Sequence, residues 1–105
     1  MKTESPITSE MVEHTMGLII GRLWYQCEEV QDDPYLLEDR CCSLWMATKA
    51  INRISTVLGG KPNRCAHFSI AMGNNMSMVS SYIKEKLDFN PWHDKDHMLY
   101  KMWNS

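Results

Sequence analysis

Long apolar runs are missing from this 105-residue chain, and nowhere does one approach the ~20 residues that a membrane span needs. An excess of one charge is missing too. Eleven Lys and Arg stand against thirteen Asp and Glu, a net of -2, which argues against a polyanion mimic and against a strongly basic nucleic-acid binder. The four cysteines, Cys27, Cys41, Cys42 and Cys65, lack the paired spacing of a zinc cage. The opening MKTESPITSEM has no apolar stretch of the signal-peptide kind, so the expectation is reduced thiols in a cytoplasmic protein rather than a disulfide framework. A phosphate-cradling loop is also lacking, because Gly59-Gly60-Lys61 has neither the earlier spaced glycine nor the following Ser or Thr. Cys65 and His67 lie two apart, a spacing that defines no nucleophile and base. The carboxylate pairs Glu28-Glu29 and Asp32-Asp33 sit at a helix end and a turn, where capping and solubility account for them. The reading is therefore not an enzyme, with no cofactor expected.

What is present is the composition of an ordinary folded domain, 44% hydrophobic and 23% charged. A single helical domain over residues 1–105 is expected, with residues 1–7 a flexible N-terminal tail. Charge is split unevenly along it: residues 1–58 carry five bases against nine acids, and residues 59–105 carry six against four.

The strongest local pattern runs from Pro34 to Leu58. Asp33 and Pro34 read as an N-cap and a first-turn proline, and Gly59 and Gly60 read as the stop. Between them Leu37, Cys41, Leu44, Ala47, Ile51, Ile54 and Leu58 recur at steps of three and four, the signature of one buried stripe. A preceding helix from Thr8 or Ser9 to about Val30 offers Met16, Ile20, Leu23, Cys27 and Val30 to that stripe, with Val12 and Ile19 beside them. The three-residue connection Gln31 to Asp33 predicts an antiparallel pair. Residues 65–89 fit helices, with Phe68, Met72, Met76, Val79, Ile83 and Leu87 in step and a break at Gly73-Asn74-Asn75; a β-hairpin turning at the same three residues is the alternative. Asn90 and Pro91 open a last helix that runs to about Trp103 with Trp92, Leu99, Met102 and Trp103 on its apolar side. The fold class expected is all-α: a long antiparallel helix hairpin packed by two or three shorter C-terminal helices, a small helical bundle.

Several residues fall outside that scheme. Gly17 and Gly21 share a face of the first helix with His14 and Tyr25, away from its apolar stripe. Each glycine costs about 1 kcal/mol relative to alanine within a helix, so something is expected to pack closely there: another helix of the chain, a homodimer seam or a foreign partner. Cys42, Trp45 and Met46 form a second face of the long helix, either covered by the C-terminal segment or offered to a partner. His93 and His97 stand one turn apart on the last helix, a spacing that suits two ligands of one metal ion, with no third ligand assignable. A solvated helix face is the plainer reading of the same run.

Ser69, Gly73 and Val79, with Phe68, Met72 and Tyr82 at the apolar positions, carry a resemblance to the helix-turn-helix family over about twenty residues. The resemblance implies a reading helix beginning near Met76, with Asn74, Asn75, Ser77, Ser81 and Lys84 facing base edges or phosphates. Asn74 stands where that family has an apolar residue, and the implied reading helix holds no arginine.

Nine methionines and four tryptophans exceed what the stripes absorb. Such side chains are favoured at the centres of protein interfaces. The function expected is a non-enzymatic protein-binding module, an inhibitor or adaptor of the sort phages and mobile elements direct at host machinery. Its expected contact residues are Gly17, Gly21, Tyr25, Cys42, Trp45 and Met46, and its partner is another protein or a second copy. The alternative is a helix-turn-helix transcriptional regulator using residues 66–87.

Overall fold

Asp33 starts the longest helix as its side chain dictates. Its Oδ1 accepts the backbone N–H groups of Tyr35 and Leu36 at 3.1 and 3.2 Å, and its carbonyl accepts that of Leu37 at 2.8 Å. In the computed structural model the backbone is described for residues 9–59 and 66–105, and side chains for Met11 and residues 14–54 and 75–105. The expected tail, the loop from Gly60 to Cys65, and the side chains of Val12, Leu58, Phe68, Ser69, Met72, Gly73 and Asn74 lie outside the described residues. The elements are α1 (Ser9–Glu29), α2 (Pro34–Gly59), α3 (Ala66–Leu87) and α4 (Met98–Trp103). No strand occurs among the described residues, and no helix there is long and apolar enough to cross a membrane.

Helix α2 is the centre. It packs against both α1 and α3, whose backbones make no comparable approach to each other. Leu37, Cys41, Leu44 and Ile51 are buried as the stripe requires, whereas Ala47 is half-buried and the unpredicted Thr48 is buried beside it, its hydroxyl donating to the Leu44 carbonyl at 2.7 Å. Ile54, expected in the same stripe, is 46% exposed. From α1 come Ile20 and Cys27, with Met16 and Leu23 half-buried against the core; from α3 come Met76, Val79, Tyr82 and Ile83. The described residues extend over 53 × 27 × 22 Å with a radius of gyration of 15.6 Å, against about 13 Å for a closely packed domain of this length.

Three expectations change. Residues 66–87 form one continuous helix, so neither a turn nor a hairpin falls at Gly73-Asn74-Asn75, and the helix-turn-helix reading loses its turn. At 22 residues α3 is also as long as α1, not one of several short covering helices. The third change concerns the last segment. Asp88 takes a left-handed conformation (φ 57°) and donates its N–H to the Lys84 carbonyl at 2.9 Å, which ends α3. The chain then folds back through buried Phe89 and Pro91 to cover α2. Phe89 meets Trp103 edge-on at 5.0 Å, Trp92 lies 6.4 Å from Trp45, and Lys49 donates to Asn104 at 2.7 Å.

Trp45 is consequently 2% exposed, a core residue rather than a contact for a partner. Trp45→Ala is expected to remove about 3–5 kcal/mol by leaving a ring-sized cavity. Thermal melting followed by circular dichroism checks this, and a Tm within about 3 °C of the parent would contradict it.

Candidate protein-binding site

Successive residues of an α-helix turn by about 100°, so the face of α1 opposite Ile20 and Cys27 is fixed by the register. Met11, His14, Leu18, Gly21 and Tyr25 occupy it at alternating steps of three and four, and all five are exposed. Met11, Leu18 and Tyr25 are 51%, 60% and 57% exposed, with Ile19 at its edge at 45%. Large apolar side chains repeated along one solvent-facing ridge are unusual for a lone helix, whose outer face is ordinarily polar.

The two glycines belong to this side. A Cβ built on Gly17 or Gly21 meets nothing within 4 Å, so no helix of the chain rests on them among the described residues. Of the three expected occupants, another helix of the chain is not found there among the described residues. Of the residues expected to touch a partner, Gly17, Gly21 and Tyr25 lie on this outward side of α1, while Cys42 and Met46 are half-buried against the core and Trp45 is sealed. The expected group therefore divides between two places. Met11, Leu18 and Ile19 were absent from it, although the steps from Met11 to Tyr25 are legible in the sequence.

At the other edge of α1 a polar cluster ties the helices together. Tyr82 Oη donates to Glu28 Oε2 at 2.8 Å, its ring lies 4.8 Å from Trp24, and Lys86 Nζ sits 5.6 Å above it. These side-chain contacts join α3 to α1. Burial, and then the bond to Glu28, push the Tyr82 phenol above its ordinary range. Beneath it Cys27 and Cys41 are fully buried and hydrogen-bonded to each other. That bond holds the Cys27 thiol below its usual value and Cys41 far above, so the pair yields its first proton more readily than its second. Burial, with Asp39 and Glu38 nearby, raises Cys42. A thiol kept protonated in this way is a weak nucleophile.

Of the residues of the nucleic-acid reading, Ser77, Ser81 and Lys84 are exposed along one face of α3. Ser77 and Ser81 line an open groove of about 400 Å³ together with Trp24, Met78, Tyr82 and Glu85. Lys84 is paired with Asp88 at 3.6 Å, Asn75 is half-buried with interactions of its own, and the Asn74 side chain is outside the described residues.

His93 and His97 do not share a helix. Asn90 Oδ1 accepts the N–H groups of Trp92 and His93, and Asp94 Oδ2 accepts that of Asn90, which closes a single turn. Lys95 then bonds the His93 carbonyl at 2.9 Å instead of continuing a helix. His93 stacks on Trp92 at 5.2 Å. His97 caps α4, its Nδ1 accepting the Leu99 N–H at 3.0 Å, with its ring 4.7 Å from Phe89. Among the described residues no three His, Cys, Asp or Glu side chains converge on a metal position.

Comparison with protein-family models, with curated proteins and with solved structures finds no match to this chain.

Two outcomes follow from the open glycines and the Tyr82 cluster. Gly17→Ala and Gly21→Ala are each expected to stabilise the fold by about 1 kcal/mol, raising Tm by about 4–8 °C. A fall in Tm would reveal a close contact at that position. Tyr82→Phe is expected to cost about 1 kcal/mol through the lost bond to Glu28. It also changes the alkaline limb. Groups whose pKa is raised by folding hold protons that the unfolded chain has released, so their contribution is whole below the unfolded pKa and lost above it. Stability should decline beyond pH ~8.5 through Cys41 and Cys42, with Cys27 opposing, and beyond pH ~10 through Tyr82. Urea titrations across pH check this: the second decline should flatten in Tyr82→Phe, and an unchanged slope would contradict the assignment.

Proposed function

We propose that the chain is a non-enzymatic protein-binding module, an inhibitor or adaptor that acts in the cytoplasm by occupying another protein's surface. The antiparallel pairing of α1 with α2 serves it as the rigid scaffold. The observation that carries this reading is the exposed ridge of α1 with Met11, Leu18 and Tyr25, beside two glycines that no described residue covers. Large apolar side chains repeated along one exposed face of a folded monomer are the kind of surface that interaction sites use. Glycine there costs helix stability and gains the fold no contact of its own, whereas it lets a partner's side chains come close to the backbone. Tyr25 adds a rigid aromatic anchor, the residue type over-represented where binding energy concentrates.

Leu18→Asp and Gly21→Arg test the site without touching the core. Both are expected to keep the parent's circular dichroism spectrum, with Gly21→Arg melting slightly higher because arginine is the better helix former. Each should weaken the complex captured from the native host by about tenfold or more, measured by quantitative pull-down. Capture equal to the parent's in both variants would overturn the site.

A further inference from the structure

We infer that the occupant of the α1 ridge is a basic amphipathic helix of another protein, an inference that rests on the binding reading above and names the chemistry of its partner. Shape gives the first reason. Met11 to Tyr25 spans about 21 Å at the α-helical rise, and its alternating three- and four-residue steps are the pattern into which a second helix lays its own side chains. An extended peptide would want a row of unpaired backbone N–H and C=O groups, which the middle of a helix does not offer.

Charge gives the second reason and selects among helices. In sequence α1 carries Glu10 and Glu13 near its start and Glu28 and Glu29 at its end, with Arg22 between. The following turn and the start of α2 add Asp32, Asp33, Glu38 and Asp39 against Arg40, so residues 9–40 hold eight acids and two bases. A second copy of the chain meets this field with the same sign in either direction. Laid parallel, two copies bring their net-acidic segments 28–40 to the same end; laid antiparallel, each brings that segment to the end of α1 whose sequence holds Glu10 and Glu13. Like charges opposed around an interface work against association, and opposite charges steer it. The same field repels phosphate, whether from nucleic acid or from a lipid headgroup. A helix with apolar residues at steps of three and four, flanked by Lys and Arg, satisfies both the shape and the charge. The openings at Gly17 and Gly21 admit its bulkier side chains.

Two synthetic 21-residue peptides with one identical leucine face, one flanked by Lys and Arg and the other by Glu, test this by fluorescence anisotropy against the full chain. The basic peptide is expected to bind, and its affinity to fall about tenfold or more in Leu18→Asp and again between low and high salt. Equal binding of the acidic peptide would overturn the inference. So would basic-peptide binding that Leu18→Asp leaves unchanged, or a parent chain that sizes as a dimer and becomes monomeric in Leu18→Asp, which would make the second copy the occupant. Loss of the host complex in Leu18→Asp together with no binding of the basic peptide defeats this inference and leaves the site standing. Retention of that complex defeats the site itself.

Discussion

The need to bury α2 governs the rest of the molecule. Cys41, Leu44 and Thr48 have no exposure and Trp45 almost none, so the buried arc of α2 is wider than one neighbouring helix can cover. Helices α1 and α3 take two parts of that arc, and the segment from Phe89 to Trp103 takes a third. Each of the covering helices gives one face to α2 and keeps another. With about 13 Å expected for a compact domain and 15.6 Å found, the arrangement is elongated, and an elongated bundle has outer faces to spare. The face left on α3 is mostly polar, with Ser77, Ser81, Lys84 and Glu85 exposed around Met78. The face left on α1 sets Met11, Leu18 and Tyr25 among His14, Thr15 and Arg22, and so exposes more large apolar side chains. That difference makes α1 the side where another molecule gains most by docking.

The C-terminal segment decides what is not available for docking. Left-handed Asp88 turns the chain at the end of α3, Phe89 and Pro91 bury themselves, and the bond from Lys49 to Asn104 fastens the far end to α2. Trp45 is enclosed by this return. The tryptophan that would be the foremost candidate for an interface anchor is instead part of what holds the fold, and in the proposed site that part is given to Tyr25 and Leu18.

Local signals were legible where local chemistry decides. The cap at Asp33, the proline after it and the paired glycines marked α2 to within a residue at its end, and the three- and four-residue steps marked most of its buried stripe. Tertiary packing was not legible. Trp45 is covered by Trp92, forty-seven positions later, and no periodicity within α2 carries that information. At Gly73-Asn74-Asn75 the composition reads as a break, yet the penalties of one glycine and two asparagines, about 1 kcal/mol and somewhat less each, are outweighed by burying Met76, Val79 and Ile83 at about 1.5–3 kcal/mol apiece. Asn90 and Pro91 are a true start signal, but the Asp94 carboxylate closes the first turn back on Asn90, and α4 begins afresh at Met98. In α1 the inward stripe was legible from its steps, with Ile20 and Cys27 buried and Met16 and Leu23 half-buried, whereas the exposed ridge follows the same steps and went unnamed.

Hydroxyl-radical footprinting of the free chain, at a concentration low enough to keep it monomeric, measures the central claim directly. Solvent-facing Met11, Leu18 and Tyr25 should be modified fast, and Trp45, Phe89 and Trp103 should be protected until the fold melts. Protection of Tyr25 and Leu18 together with rapid modification of Trp45 would mean that the two surfaces have been assigned the wrong way round.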